Sequence, residues 1–103
     1  LDFLHIISNN TIEKEWEKIV NQSLGKADLQ IVNRIEKEQN SIIKSEKQLG
    51  ASSWFVLDCY ALPENYYAVI MEEGHITNYL IVKHDLVSDL IFSIVESNIE
   101  NIE

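Results

Sequence analysis

The stretch "SSWFVLDCYALPENYYAVIMEEGHITNYLIVK", residues 52–83, decides the fold. Its aromatic and β-branched residues run in blocks separated by turn formers, which is the pattern of short strands. "SSWFVLDCYAL" (52–62) reads as a strand and Pro63-Glu64-Asn65 as a three-residue turn. "YYAVIME" (66–72) is the second strand, and Glu73-Gly74 is the next turn, since glycine reaches positive φ at little cost. "HITNYLIVK" (75–83) is the third. Those turns set Asp58 opposite Ile70, Tyr60 opposite Ala68, Ile70 opposite Thr77 and Glu72 opposite His75.

Side chains alternate across a sheet with period two, so the register divides each strand between two faces. One face gathers Phe55, Leu57, Cys59, Ala61, Tyr67, Val69, Met71, Ile76, Leu80 and Val82, with Asn78 the misfit; this is the core face. The other gathers Trp54, Val56, Asp58, Tyr60, Tyr66, Ile70, Glu72, His75, Thr77, Tyr79 and Ile81. It mixes rings, aliphatics and acids. Trp and Tyr supply rigid contact area with a polar handle, and carboxylates suit a basic partner. The candidate partner-binding residues are therefore Trp54, Asp58, Tyr60, Glu64, Tyr66, Glu72, Glu73, His75 and Tyr79. In the alternative, the Trp16 stripe of an N-terminal helix covers this second face and turns its aromatics into core.

Upstream of the strands the period changes to that of helices. Asn10 and Glu13 have the spacing of a capping box, followed by Ile12, Trp16, Ile19, Val20 and Leu24 on one face, with Gly25 as the stop. Asp28 can cap a second helix carrying Val32, Ile35, Ile42 and Leu49, with a kink or a break expected near Asn40-Ser41 and an end at Gly50. "LDFLHII" (1–7) is a candidate fourth strand. Downstream, Asp85 followed by Val87, Leu90, Ile91, Ile94 and Val95 has the spacing of a capped amphipathic helix, and the tail after it is expected to fray. The fold class so read is α+β: a three-stranded antiparallel meander, with residues 2–7 as a candidate fourth strand, two N-terminal helices and one C-terminal helix. At 103 residues, 46% of them apolar, the chain is a single domain, 1–103.

Charge is distributed unevenly. The chain has 8 basic and 17 acidic residues and a net charge of −9. Residues 1–50 hold seven basic and eight acidic side chains; residues 51–103 hold Lys83 alone against nine acids. Phosphate backbones and anionic lipid need Lys or Arg to neutralise them, so nucleic acid and membrane surfaces are excluded as expected partners. A cationic protein is favoured, although net charge also serves solubility. The single cysteine, Cys59, rules out a disulfide framework within the chain. No apolar run is long enough to span a bilayer as a helix, and a cytoplasmic location is expected. The chain opens at Leu1 rather than Met, so an initiator residue or tag is expected to be missing.

Catalytic motifs are sparse. His5, His75 and His84 lack zinc-motif spacing, and three scattered glycines make no phosphate-binding loop. Cys59, on the core face, reads as a small apolar residue. Asp58, Glu72 and His75 share a face and could form an acid–base cluster, while His84 beside Asp85 reads as the neighbour of a helix cap. No metal or other cofactor is implied.

"WFVLDCYALPENYYAVIMEEG" (54–74), set in a short, acidic, cysteine-poor α+β domain, resembles the immunity proteins of bacterial toxin systems, those of contact-dependent growth inhibition above all. The resemblance lies in overall character and transfers no residue roles. It implies a non-enzymatic cytoplasmic protein that binds a cognate cationic toxin domain, often a nuclease. Other readings are a nucleic-acid-mimicking phage or plasmid counter-defence protein, a small enzyme using Asp58, Glu72 and His75, and a subunit assembling through its helices. The sequence does not fix the oligomeric state.

Overall fold

The computed structural model describes residues 12–46 and 53–100. Two helices, α1 (Ile12–Asn21) and α2 (Leu29–Glu46), precede four strands: β1 (Phe55–Ala61), β2 (Tyr66–Glu73), β3 (Ile76–Asp85) and β4 (Leu90–Glu100). The strands form one antiparallel sheet in the order β1-β2-β3-β4. Asn10 and the segment 1–7 lie outside the described residues, as do Leu49 and Gly50.

The expected C-terminal helix is a strand, and the meander has four members instead of three. Its apolar residues do recur at helical spacing, but the segment is rich in β-branched and aromatic side chains, and a short apolar run fits either period. Neighbouring structure settles the choice. β3 has buried residues on both faces (Thr77, Asn78, Leu80, Ile81 and Val82), so its backbone groups need a partner on each side. β4 provides one along its whole length, from Asp85↔Leu90 to Ile76↔Glu100. The Asp85 carboxylate does cap an amide, that of Val87 at 2.9 Å, but the cap starts a turn. Asp89 closes that turn at φ 59°. The residues from Ser97 to Glu100, expected to fray, continue β4.

The β1–β2 register is the one expected, with Asp58↔Ile70 and Tyr60↔Ala68. Pro63-Glu64-Asn65 forms the turn, closed by the Leu62 amide donating to the Tyr66 carbonyl at 2.8 Å. Glu64 and Asn65 take positive φ there. The next turn sits one residue later than expected, on Gly74-His75, and pairs Glu72 with Thr77 and Ile70 with Tyr79. Gly74 has φ 58° and His75 is not left-handed, so glycine takes the first central position, as type II′ requires. A Glu73-Gly74 turn of type I′ would have forced positive φ on Glu73 at a steric cost. Register sums move by two when a turn moves by one, so the division between faces survives.

A β-bulge does what the turn shift did not. Between Val56 and Asp58 the β1 register slips, and one extra residue reverses the faces of everything before it. Trp54 and Val56 consequently pack with Cys59, Val69 and Met71, while Phe55 and Leu57 are exposed. The expectation that Phe55 and Leu57 belong to the core is corrected on this ground, and Trp54 lies on the opposite face from Tyr60.

Each face of the sheet carries one helix. On the first, Ile31 and Ile35 of α2 pack on Cys59, Val69, Met71, Leu80, Val82 and Ile91. On the second, Ile12 and Ile19 of α1 pack on Leu62, Ala68 and Ile81, joined by Trp16, Tyr66, Tyr79 and Val95. Asp28 caps α2, its carboxylate accepting from the Gln30 amide at 3.3 Å. No break occurs at Asn40-Ser41: α2 runs through it, with the Asn40 side chain bonded to Trp54 outside the helix as well as to Glu36 one turn back. The Asn40 amide nitrogen donates to the carbonyls of Glu36 and Trp54, and its oxygen accepts from the Trp54 amide at 2.7 Å. Beside it, Glu36 Oε2 accepts from the Val56 amide at 2.9 Å. No helix among the described residues is long and apolar enough to cross a membrane.

Candidate protein-binding surface

The aromatic centre of the candidate site is roofed by α1. Trp16 meets Tyr79 edge-to-face at 5.6 Å between centroids and Tyr60 at 6.0 Å. That is the covered-face alternative, realised for the pair Tyr60 and Tyr79. Asp58, one residue pair away, is bridged by Lys26 at 3.1 Å. The Lys26 ammonium also lies 5.5 Å from the Tyr60 ring centroid. The Asp58 hydrogen bond, then its charge, raises the Lys26 pKa. Lys26 comes from the connection between the helices, which runs beside β1 and exchanges backbone hydrogen bonds with it.

The remaining predicted residues separate along the sheet. Glu64 and Tyr66 stand at the β1–β2 turn, where the Lys83 ammonium lies 4.3 Å from the Tyr66 ring centroid and donates to the Glu64 carbonyl. Glu72, Glu73 and His75 stand at the β2–β3 turn. The eight residues of β2 divide these two groups, roughly 23 Å at about 3.3 Å per residue. Trp54 is half-buried on the far face, under α2. The structure thus distributes the nine residues over two ends, a covered middle and an opposite face. The cross-strand His75–Glu72 pair does not form, since Glu72 faces Thr77 and His75 sits in the exposed turn.

Electrostatic order lies elsewhere, around the β3–β4 turn. Arg34 of α2 grips Asp89 through Nη1 to Oδ1 at 2.8 Å and through Nη2 to the backbone carbonyl at 2.9 Å. His84 Nε2 lies 2.7 Å from the same Oδ1. Nε2 donates there, so its 3.4 Å approach to Arg34 Nη1 is that of two donors sharing one carboxylate oxygen. The His84 hydrogen bond, then Arg34, holds the Asp89 carboxyl below its ordinary range. This clamp fastens a left-handed turn residue to α2. It replaces the expected role of His84 as the neighbour of a helix cap, and it leaves Nε2 committed rather than aimed at a nucleophile. Sequence reading missed it because Arg34 and Asp89 are 55 positions apart with no spacing rule to join them.

Cys59 is buried, and burial first, then the Asp58 charge, pushes its thiol pKa up to about 12. A thiol so held is not a nucleophile at neutral pH. Among the described residues no three His, Cys, Asp or Glu side chains converge as a metal site requires.

What the sheet does carry is uncompensated acid. Asp58 and Asp89 are the sheet acids with ion-pair partners. No ion pair to Glu64, Glu72, Glu73, Asp85 or Glu96 is found among the described residues. Lys83, the sole basic residue after Lys47, is spent on Tyr66 and the β1–β2 turn. No protein-family model, no curated protein and no solved structure matches the chain.

Proposed function

We propose that the chain is a non-enzymatic immunity-type protein of the cytoplasm that binds and neutralises a cationic toxin domain, of the nuclease kind. The segregation of charge carries this reading. Among the described residues the helices and their connection hold every Lys and Arg except Lys83, whereas Glu64, Glu72, Glu73, Asp85 and Glu96 of the sheet and its turns have no ion-pair partner there. Such a surface accelerates encounter with a basic protein and repels nucleic acid. Because α1 covers Tyr60 and Tyr79, contact falls to the sheet's turns and margins instead of to an open aromatic face.

Binding kinetics against basic nuclease toxin domains test the reading. Association should slow as salt rises from about 50 to 500 mM, since exposed charges are screened beyond about 8 Å at physiological ionic strength. Neutralising Glu72 and Glu73 together should lower the on-rate more than it raises the off-rate. A salt-independent association, or binding restricted to acidic proteins, would refute it.

A further inference from the structure

The two edges of the sheet are treated differently. Along β1 the outer backbone groups are taken up almost residue by residue. The Leu24 amide donates to the Ala61 carbonyl at 2.8 Å, the Ala61 amide to Gly25 at 2.9 Å and the Ala27 amide to Cys59 at 2.9 Å. Beyond the bulge, Glu36 and Asn40 serve the amides of Val56 and Trp54. β4, by contrast, has β3 on one side and no pairing element on the other among the described residues.

An open edge of this kind is normally blunted by lysine, proline, shortness or a bulge. β4 is 11 residues long and contains no Lys, Arg or Pro. Its one irregularity is the register shift facing Ile81 and Val82, which leaves Ile94 extra. Ile91 and Val95 turn into the core, but other apolar residues stay in solvent: Leu90 is 62% exposed and Phe92 42%, and the adjoining turn exposes Val87 at 98%. Leu90 and Phe92 lie on one face of the strand and, after the bulge, Ile99 rejoins them there; Glu96 lies on the other face.

We infer that the β4 edge is a docking strand that accepts an extended segment of a basic protein as a fifth strand of the sheet. The inference rests on the proposed function and names its surface. Backbone hydrogen bonds to the alternate outward amides and carbonyls of β4 supply the pairing. Apolar side chains of the incoming strand meet Leu90, Phe92 and Ile99, and its Lys or Arg side chains, on the opposite face, meet Glu96. Charge selects this occupant. Residues 85–100 hold no Lys or Arg; Asp89 is taken up by Arg34 and His84, which leaves Asp85 and Glu96 without an ion pair among the described residues. A second copy, itself at −9, is the less compatible neighbour.

The probe is a blocked ten-residue peptide alternating valine and lysine, titrated into the full chain and followed by amide NMR. The control is the same peptide with glutamate in place of lysine. Shift changes should concentrate on residues 90–100, and the glutamate peptide should bind at least tenfold more weakly. Phe92→Lys and Glu96→Lys, both at exposed positions, should each weaken binding at least tenfold with the melting temperature unchanged. Four results would overturn the inference: shifts mapping to another surface, equal binding of the two peptides, slow exchange of the outward β4 amides in the free monomer, or a dimer that protects them. A toxin domain that binds both variants as tightly as the parent chain removes the edge but leaves the proposed function standing. Absence of any basic partner, with the peptide results intact, removes the function but leaves the edge.

Discussion

Replacing Trp16 with alanine tests whether α1 truly closes the second face of the sheet. The indole is half-buried and makes edge-to-face contacts with Tyr60 and Tyr79. A Trp buries on the order of 150–250 Å², and the lower figure suits a half-buried ring. At about 25 cal/mol per Å² that is roughly 4 kcal/mol, reduced to about 3 because the denatured chain is not fully extended. The two ring pairs add about 0.5–1.5 kcal/mol each. A loss of about 4–6 kcal/mol is expected, a large share of the roughly 5–15 kcal/mol typical of a domain. Urea denaturation followed by far-UV circular dichroism measures it, with Leu24→Ala as a control at a position 72% exposed. The control should stay within about 0.5 kcal/mol of the parent. If Trp16→Ala cost less than about 1 kcal/mol, α1 would not be part of the cooperative unit. Tyr60 and Tyr79 would then be an accessible aromatic surface, and the assignment of contact to the margins would be wrong.

A second pair of variants separates strand from helix in the last segment. Ile91→Ala should lose about 2–5 kcal/mol, as buried aliphatics do, whereas Leu90→Ala should stay within about 0.5 kcal/mol; equal large losses in thermal melts would favour a helix. Asn40→Ala strands the Trp54 amide and carbonyl and should cost about 1–3 kcal/mol, with Asn40→Asp falling between, as read by chemical denaturation. The Asp89 carboxyl is depressed in the folded state by His84 and Arg34. Its contribution is therefore present above the ordinary carboxylate value of about 3.9 and is lost as pH falls through the lower folded value. Denaturation between pH 7 and pH 3 should show Asp89→Asn less stable than the parent at neutral pH, with the gap closing below about pH 4.

Much of this architecture was legible in residue order alone, for a local reason. The blocks of 52–83, the turn chemistry of Pro63-Glu64-Asn65 and the stripes of Ile12, Trp16 and Ile19 each express a preference that a short segment holds by itself. Asp28 capped its helix as read, and the charge asymmetry needs no structure at all. Three things required the tertiary structure. The segment 90–100 fits both periods, and the unmet second edge of β3 chose the strand. The bulge at Leu57 has no sequence signature, yet its one extra residue moved Trp54 and Val56 to the opposite face from Tyr60. The candidate site followed a face of the sheet, but faces become surfaces only after the helices have docked. Trp16 covered Tyr60 and Tyr79, while the connection between the helices sealed the β1 edge. Among the described residues the edge left without a partner is that of β4, the strand that local pattern had assigned to a helix, because a sheet edge exists only once the other strands have been placed.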